Sequence, residues 1–271
     1  MANTINWSQK AKVLPKKKLD KIYNMYHRRE NVHPDPLEFL YAYDELHDRE
    51  IAGLVASSLA YGRVAQILKS VSYVLDIMGQ SPVSFIKKAT RQSLKKDFSG
   101  FVHRFATGDK LSQMLVGAKE VIKQYGSLYE CFISGLSSND ETILSALTLF
   151  VDKITENGNN NPGHLLPLPK LGSACKRLNL FLRWMVRRDD VDPGGWEDVP
   201  LSKLIIPLDT HMHKIGILTG LTSRTQPNMR TALEITDGFR KLVPEDPVKY
   251  DFSLTRIGIR GDANYKEILC E

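Results

Sequence analysis

Apolar residues recur at helical spacing along nearly the whole chain, and the strict alternation that marks half-buried strands is scarce. Leu19, Ile22, Tyr23 and Tyr26 line one side of a first helix that stops before Asn31. Asp35-Pro36 pairs an N-cap with a favourable first helical position and opens a helix through Leu37, Leu40 and Tyr41. Ile51, Leu54, Val55, Ser58 and Leu59 share the next apolar face, with a left-handed glycine cap expected at Tyr61-Gly62. Val64, Ile67, Leu68, Val71, Val74, Leu75 and Met78 carry the pattern on until Gly79 and Pro82 break it. The two helices read as a hairpin with Ser57, Ser58, Tyr61, Gly62 and Arg63 at its turn.

Between Val83 and Gly108 the signal weakens to a short helix at Val83, Phe85 and Ile86, then a partly buried connector through Phe98, Phe101, Val102 and Phe105. Leu111 to Ile122 predicts an amphipathic helix closed by Gly126, Leu128 to Phe132 a short helix, and Ile143 to Ile154 a longer one. Asn157 to Gly163 is rich in turn formers and reads as a loop. A tight turn follows, Leu166-Pro167-Leu168-Pro169-Lys170-Leu171-Gly172-Ser173, running into a helix from Ala174 to Arg187. A second breaker, Asp189 to Trp196, holds three aspartates that read as turn chemistry beside Pro193 and Gly194. Asp209-Thr210 then starts a helix after the apolar run Leu204 to Leu208. The remaining helices run through Met229, Leu233, Phe239 and Leu242, and from Asp246-Pro247 through Tyr250, Leu254 and Ile257, leaving Gly261 to Glu271 as a tail. There is no internal repeat, and the fold class is all-α.

Composition narrows this picture modestly. A chain of 271 residues with 42% hydrophobic and 25% charged content has ample core-forming capacity. The net charge of +6 favours a polyanionic partner. Cys131, Cys175 and Cys270 neither close a set of disulfides nor have zinc-knuckle spacing, and they fit free thiols in a reducing cytoplasm. Met1 to Lys18 carries lysines without the apolar core of a signal peptide, and no run approaches membrane-spanning length, so a cytoplasmic protein with no membrane partner is expected.

The chemistry gathers around Leu208-Asp209-Thr210-His211-Met212-His213-Lys214. Asp209 reads first as a helix N-cap, and second as a carboxylate fixed at the rim of a pocket. His211 and His213 invite a metal reading, but positions two apart on a helix diverge by about 200°. Asp209 and His213 share a face and no third ligand lies nearby, so no metal and no other cofactor is expected.

The order of a Leu-Pro-x-x-Gly turn, a helix bearing a lysine, an excursion and a Leu-Asp-Thr-His-x-x-Lys helix start resembles the helix-hairpin-helix DNA glycosylase superfamily. Leu168, Pro169 and Gly172 carry the hairpin, and Asp209, Thr210, His211 and Lys214 the aspartate motif. Ile51 to Tyr61 looks like that superfamily's helix ending in a base-pocket turn, and Tyr250 to Gly258 like its closing helix. As a whole, the chain is similar to an uncharacterised bacterial family of comparable length. It departs from the superfamily pattern at Lys170, where the hairpin has its first glycine, and at Ala174, where the lysine normally stands. Lys176 lies two residues later, 33 positions before Asp209. The four-cysteine iron-sulfur motif of some relatives is missing, and no such cluster is implied.

The resemblance implies two helical subdomains with a cleft between them: residues 1–46 as N-terminal helices packing on the second subdomain, 47–155 as the first, and 156–271 as the hairpin and aspartate-motif subdomain. It implies excision of a modified base from DNA, with RNA left open as substrate, and lyase activity through a lysine Schiff base. Asp209 would stabilise charge on the sugar or activate the attacking group, and Lys176 would be the nucleophile. Phosphate contacts are expected from Lys170, Gly172, Ser173, Arg177 and Arg183. The base pocket is expected from Tyr61, Ser58, Arg63 and Trp196, with support from His211, His213 and Lys214. Two alternatives stay open: a non-catalytic nucleic-acid-binding module on the same scaffold, and a different group-transfer enzyme using the same cleft. The oligomeric state is not indicated.

Overall fold

The computed structural model describes residues 15–156 and 161–260. The first part of the N-terminal segment, most of the asparagine-rich stretch from Asn157 and the tail with Cys270 lie outside them. Within the described residues the chain is mostly helical, and its sheet content is one two-stranded hairpin.

Helix α1 (Lys16–Tyr26) buries Leu19 and Ile22, as the spacing predicts. Asp35 caps the next turn through Leu37 N, but Pro36–Ala42 winds as a 3-10 helix. Helix α2 (Leu46–Ser58) follows, then α3 (Val64–Met78), which ends at Gly79. The weak region resolves into α4 (Pro82–Lys88), α5 (Arg91–Asp97) and the strands β1 (Val102–His103) and β2 (Ala106–Thr107). Phe98 and Phe101 are buried as the connector requires, whereas Phe105 stands at the hairpin tip, 73% exposed. Helices α6 (Gly108–Tyr125), α7 (Leu128–Ser134) and α8 (Leu144–Thr155) fall where the pattern places them. Helices α9 (Lys176–Val186), α10 (Thr210–Leu218), α11 (Met229–Arg240) and α12 (Asp251–Arg260) complete the order.

Helix α2 is the centre. Every residue from Glu50 to Ser58 is buried, so it has neighbours on all sides rather than one wet face. It packs on α3, α4, α7, α9 and the Pro36–Ala42 turn. Gly53 allows α9 to come close, since a Cβ there would stand 3.2 Å from the Phe181 ring. On one side, α6 packs against α5, α7 and α8; on the other, α12 packs against α1 and α10. The buried apolar side chains form a continuous cluster running from Leu19 to Ile257.

Three element boundaries differ from the periodic pattern, each for a local reason. Helix α2 ends at Ser58, and Gly62, with φ +100°, serves the following turn instead of capping the helix. Helix α12 starts at Asp251 rather than after Asp246-Pro247, because residues 247–250 are taken up by a turn whose Val248 N reaches the Asp246 carboxylate. Helix α9 starts at Lys176 rather than Ala174, because Cys175 is held left-handed at φ 48° with its amide on Ser173 Oγ. That last shift moves the lysine to the first residue of its helix.

Candidate active site

A cleft of about 780 Å³ opens where the C-terminal end of α2 faces the N-termini of α9 and α10. Its wall includes Tyr61, Gly62, Ser173, Cys175, Lys176, Arg177, Asp209 and His211. The last carbonyls of α2 have no partners within the helix and carry its negative end, so cations are favoured there. Two supply that need: Arg177 donates to Ser58 O at 2.7 Å and to His164 O, and Lys176 Nζ lies 3.5 Å from Ala60 O.

Asp209 divides its carboxylate between two tasks. Oδ1 accepts from Met212 N at 2.8 Å, the N-cap bond that starts α10. Oδ2 faces the cleft, 3.8 Å from Lys176 Nζ. Both side chains keep some access to solvent, 34% for Lys176 and 21% for Asp209. The expected partnership of amine and carboxylate is therefore present at one opening.

Beside them, Tyr61 is held by a set of contacts that no local sequence pattern announces. Its hydroxyl stands 2.8 Å from His103 O and 2.8 Å from His164 Nε2. The Arg177 guanidinium covers its ring at 4.8 Å from the centroid. His103 Nε2 in turn meets Tyr61 O at 3.0 Å, and its Nδ1 meets Ser70 Oγ at 2.9 Å. Burial lowers the affinity of both histidines for a proton, helped at His164 by Arg177. A neutral His103 that donates from Nε2 accepts the Ser70 hydroxyl at Nδ1, which satisfies both nitrogens.

Several expected site residues are placed elsewhere. Arg183 cannot reach a phosphate: it is 3% exposed, and its guanidinium is paired with Asp192 at 3.1 Å and Asp251 at 2.6 Å. Asp192 is accordingly more than turn chemistry, being fully buried between Arg183 and Arg187, although Asp189 does accept from Val191 N and Asp192 N as a turn aspartate would. Trp196 is fully buried away from the cleft, with Nε1 donating to Glu50 Oε1 at 3.0 Å. Ser58 is buried and offers its carbonyl to Arg177, while Arg63 is exposed at the start of α3 outside the cleft wall. Arg177 reaches the cleft but is committed to two carbonyls rather than open to phosphate.

The hairpin turn also departs from expectation. The Gly172 amide is used within the turn, donating to Pro169 O at 2.9 Å, so it is not offered to an anion. The glycine itself is required by its left-handed backbone, φ 77° and ψ 7°. Ser173 lies exposed at the cleft rim, and Lys170 is exposed beside Asp152, 3.0 Å away, a surface pair that competing anions displace at little cost. Among the supporting residues, His211 lines the cleft, His213 turns to Arg224 O at 2.8 Å, and Lys214 is exposed.

The cleft thiol is quiet. Burial pushes Cys175 up to about 11, and Cys131 up to about 12. Neither is a thiolate nucleophile at neutral pH. Among the described residues no three His, Cys, Asp or Glu side chains converge to hold a metal ion, and no helix is long and apolar enough to cross a membrane.

No curated protein and no solved structure matches the chain. A family described as "Protein of unknown function (DUF2400)" matches residues 35–260, from the Asp35 cap to the end of α12, and the chain belongs to that family.

Proposed function

We propose that this protein excises a base from nucleic acid on a scaffold like that of the helix-hairpin-helix glycosylases, with Lys176 as nucleophile and Asp209 as the facing carboxylate. The observation that carries the reading is the 3.8 Å approach of Lys176 Nζ to Asp209 Oδ2 at the wall of a cleft of about 780 Å³. A nucleophile needs a fixed origin and an open face, and Lys176 has both: its amine lies 3.5 Å from Ala60 O beyond the end of α2, and its side chain stays 34% open to solvent.

The chemistry follows from the two groups. Lys176 enters as an ammonium facing the carboxylate. As the bond between C1′ and the base nitrogen breaks, its electron pair leaves with the base, which takes a proton from the ammonium. Asp209 stabilises the positive charge that develops on the sugar. The amine, now neutral, gives its lone pair to C1′; a second N–H proton passes to the ring oxygen as the C1′–O4′ bond opens, and a protonated Schiff base remains.

Borohydride reduces such an intermediate to a stable amine. Incubating the full chain with duplexes carrying base lesions or abasic sites, under borohydride, is expected to leave an oligonucleotide attached to Lys176. Absence of any adduct and of any base release across a broad lesion panel, with the protein folded, refutes the reading.

A further inference from the structure

Phe105 is a large apolar side chain that the fold leaves in water. It is 73% exposed at the tip of the β1–β2 hairpin, next to Arg104, whose guanidinium carbon lies 5.5 Å from the Phe105 ring centroid. The hairpin is not remote from the cleft. A Cβ on Gly62, a cleft residue, would stand 2.9 Å from Arg104 Cδ, so the arginine lies against the cleft-lining turn. On the other flank, the Phe105 ring meets the His164 ring edge-to-face at 6.1 Å, and His164 is bonded to the hydroxyl of Tyr61, which lines the cleft.

The tip is also held in a costly backbone state. Arg104 has φ 54°, a left-handed conformation that a non-glycine residue adopts only when its surroundings impose it. That turn presents the arginine and the phenylalanine side by side. A solvated loop of this length would satisfy the same turn with glycine or asparagine and a polar neighbour.

We propose that the Arg104–Phe105 tip is a stacking platform for an unpaired nucleobase next to the nucleotide held in the cleft. This rests on the nucleic-acid reading of the cleft and deepens it, because such a platform selects single-stranded or locally unpaired substrate. An aromatic face accepts any base, and an adjacent guanidinium adds both a cationic face and a phosphate partner. The +6 net charge favours an anionic strand over an apolar protein partner.

The test uses a short single-stranded oligodeoxynucleotide containing 2-aminopurine, whose fluorescence is quenched by stacking, titrated at low salt into the full-length protein and into F105A and F105Y. Wild type and F105Y are expected to bind and quench, and F105A to bind roughly 5- to 150-fold more weakly with the quench lost. Because Phe105 is exposed, F105A is expected to keep the wild-type thermal transition. Equal affinity and equal quench in F105A overturn the platform, including the case in which Phe105 docks another protein. No binding by any form overturns both the platform and the nucleic-acid reading. Phe105-dependent binding without a borohydride adduct leaves the platform standing and removes the catalytic role of Lys176.

Discussion

The carboxylate of Asp209 is shared between a backbone amide and an amine: Oδ1 holds Met212 N at 2.8 Å and Oδ2 faces Lys176 Nζ at 3.8 Å. The cap bond thereby fixes the direction in which the second oxygen points, so one side chain holds a structural role together with the chemical role proposed for it. Asparagine caps a helix about as well as aspartate, and alanine does not. D209N is therefore expected to melt within about 0.5 kcal/mol of wild type, and D209A to lose about 1 kcal/mol. Under the proposed chemistry both are expected to lose base release by at least about tenfold, since neither offers charge to the sugar. Chemical denaturation beside a base-release assay separates the two roles; normal activity in D209N dismisses the chemical one.

Arg177 ties the end of α2 to the loop before α9 through Ser58 O and His164 O, and covers the Tyr61 ring. A lysine keeps the charge but not the planar fork that spans two carbonyls. R177K is expected to lose about 1 to 3 kcal/mol of stability, as buried carbonyls go unpaired. Because Lys176 is the neighbouring residue, borohydride trapping should fall as well. A R177K protein with unchanged melting and trapping would show that the two carbonyls find other donors.

Much of this arrangement is legible from the sequence, and the remainder fails for identifiable reasons. The helices around Val71, Leu115 and Leu147 are visible because each has an apolar stripe at period 3.6. Asp209 is visible as a cap because capping is a local event. The tyrosine-histidine cluster is invisible because His103 and His164 lie 42 and 103 positions from Tyr61, and their meeting depends on tertiary packing. Arg183 misleads for the complementary reason: a basic residue on a helix looks solvated until Asp192 and Asp251 arrive from other segments to bury it. The placement of Lys176 at the first turn of α9 depends on one left-handed residue, Cys175, for which propensity gives no warning.

Glu50 is a buried carboxylate used as a scaffold. It accepts from Leu128 N and Tyr129 N at 3.2 Å each and from Trp196 Nε1 at 3.0 Å, so one side chain caps α7 and anchors the loop before α10. Burial pushes its pKa up, while His47 and the three donors oppose that push. Both oxygens receive hydrogens, so glutamine would turn an amide donor toward another donor. E50Q is expected to behave like E50A, each losing on the order of 3 kcal/mol in urea unfolding. A near-neutral E50Q would mean that the carboxyl is protonated in the native state.

The buried cluster behind the site gives stability a pH dependence that one substitution isolates. Asp251 bonds Arg183 at 2.6 Å through Oδ2, whereas Oδ1 has no hydrogen-bond partner among the described residues. Burial outweighs the attraction of Arg183 and pushes the Asp251 carboxyl up to about 6, with Asp209 and Asp192 adding repulsion. An unfolded aspartate titrates near about 3.9. Between those values the native state holds the extra proton, so this contribution to stability is complete below the unfolded pKa and is lost as pH rises through about 6. Asp189 works in the opposite sense: burial raises its pKa, but the His27 hydrogen bond and Arg187 outweigh that and hold it far below the usual carboxylate range, so its contribution is lost in acid. Asparagine at position 251 keeps a polar partner for Arg183 and removes the titration. From about pH 7 to about pH 4, wild type is expected to gain on the order of 2 kcal/mol relative to D251N, read as the difference between their unfolding free energies across the range. Parallel curves would place Asp251 in the native state as a fully ionised partner of Arg183.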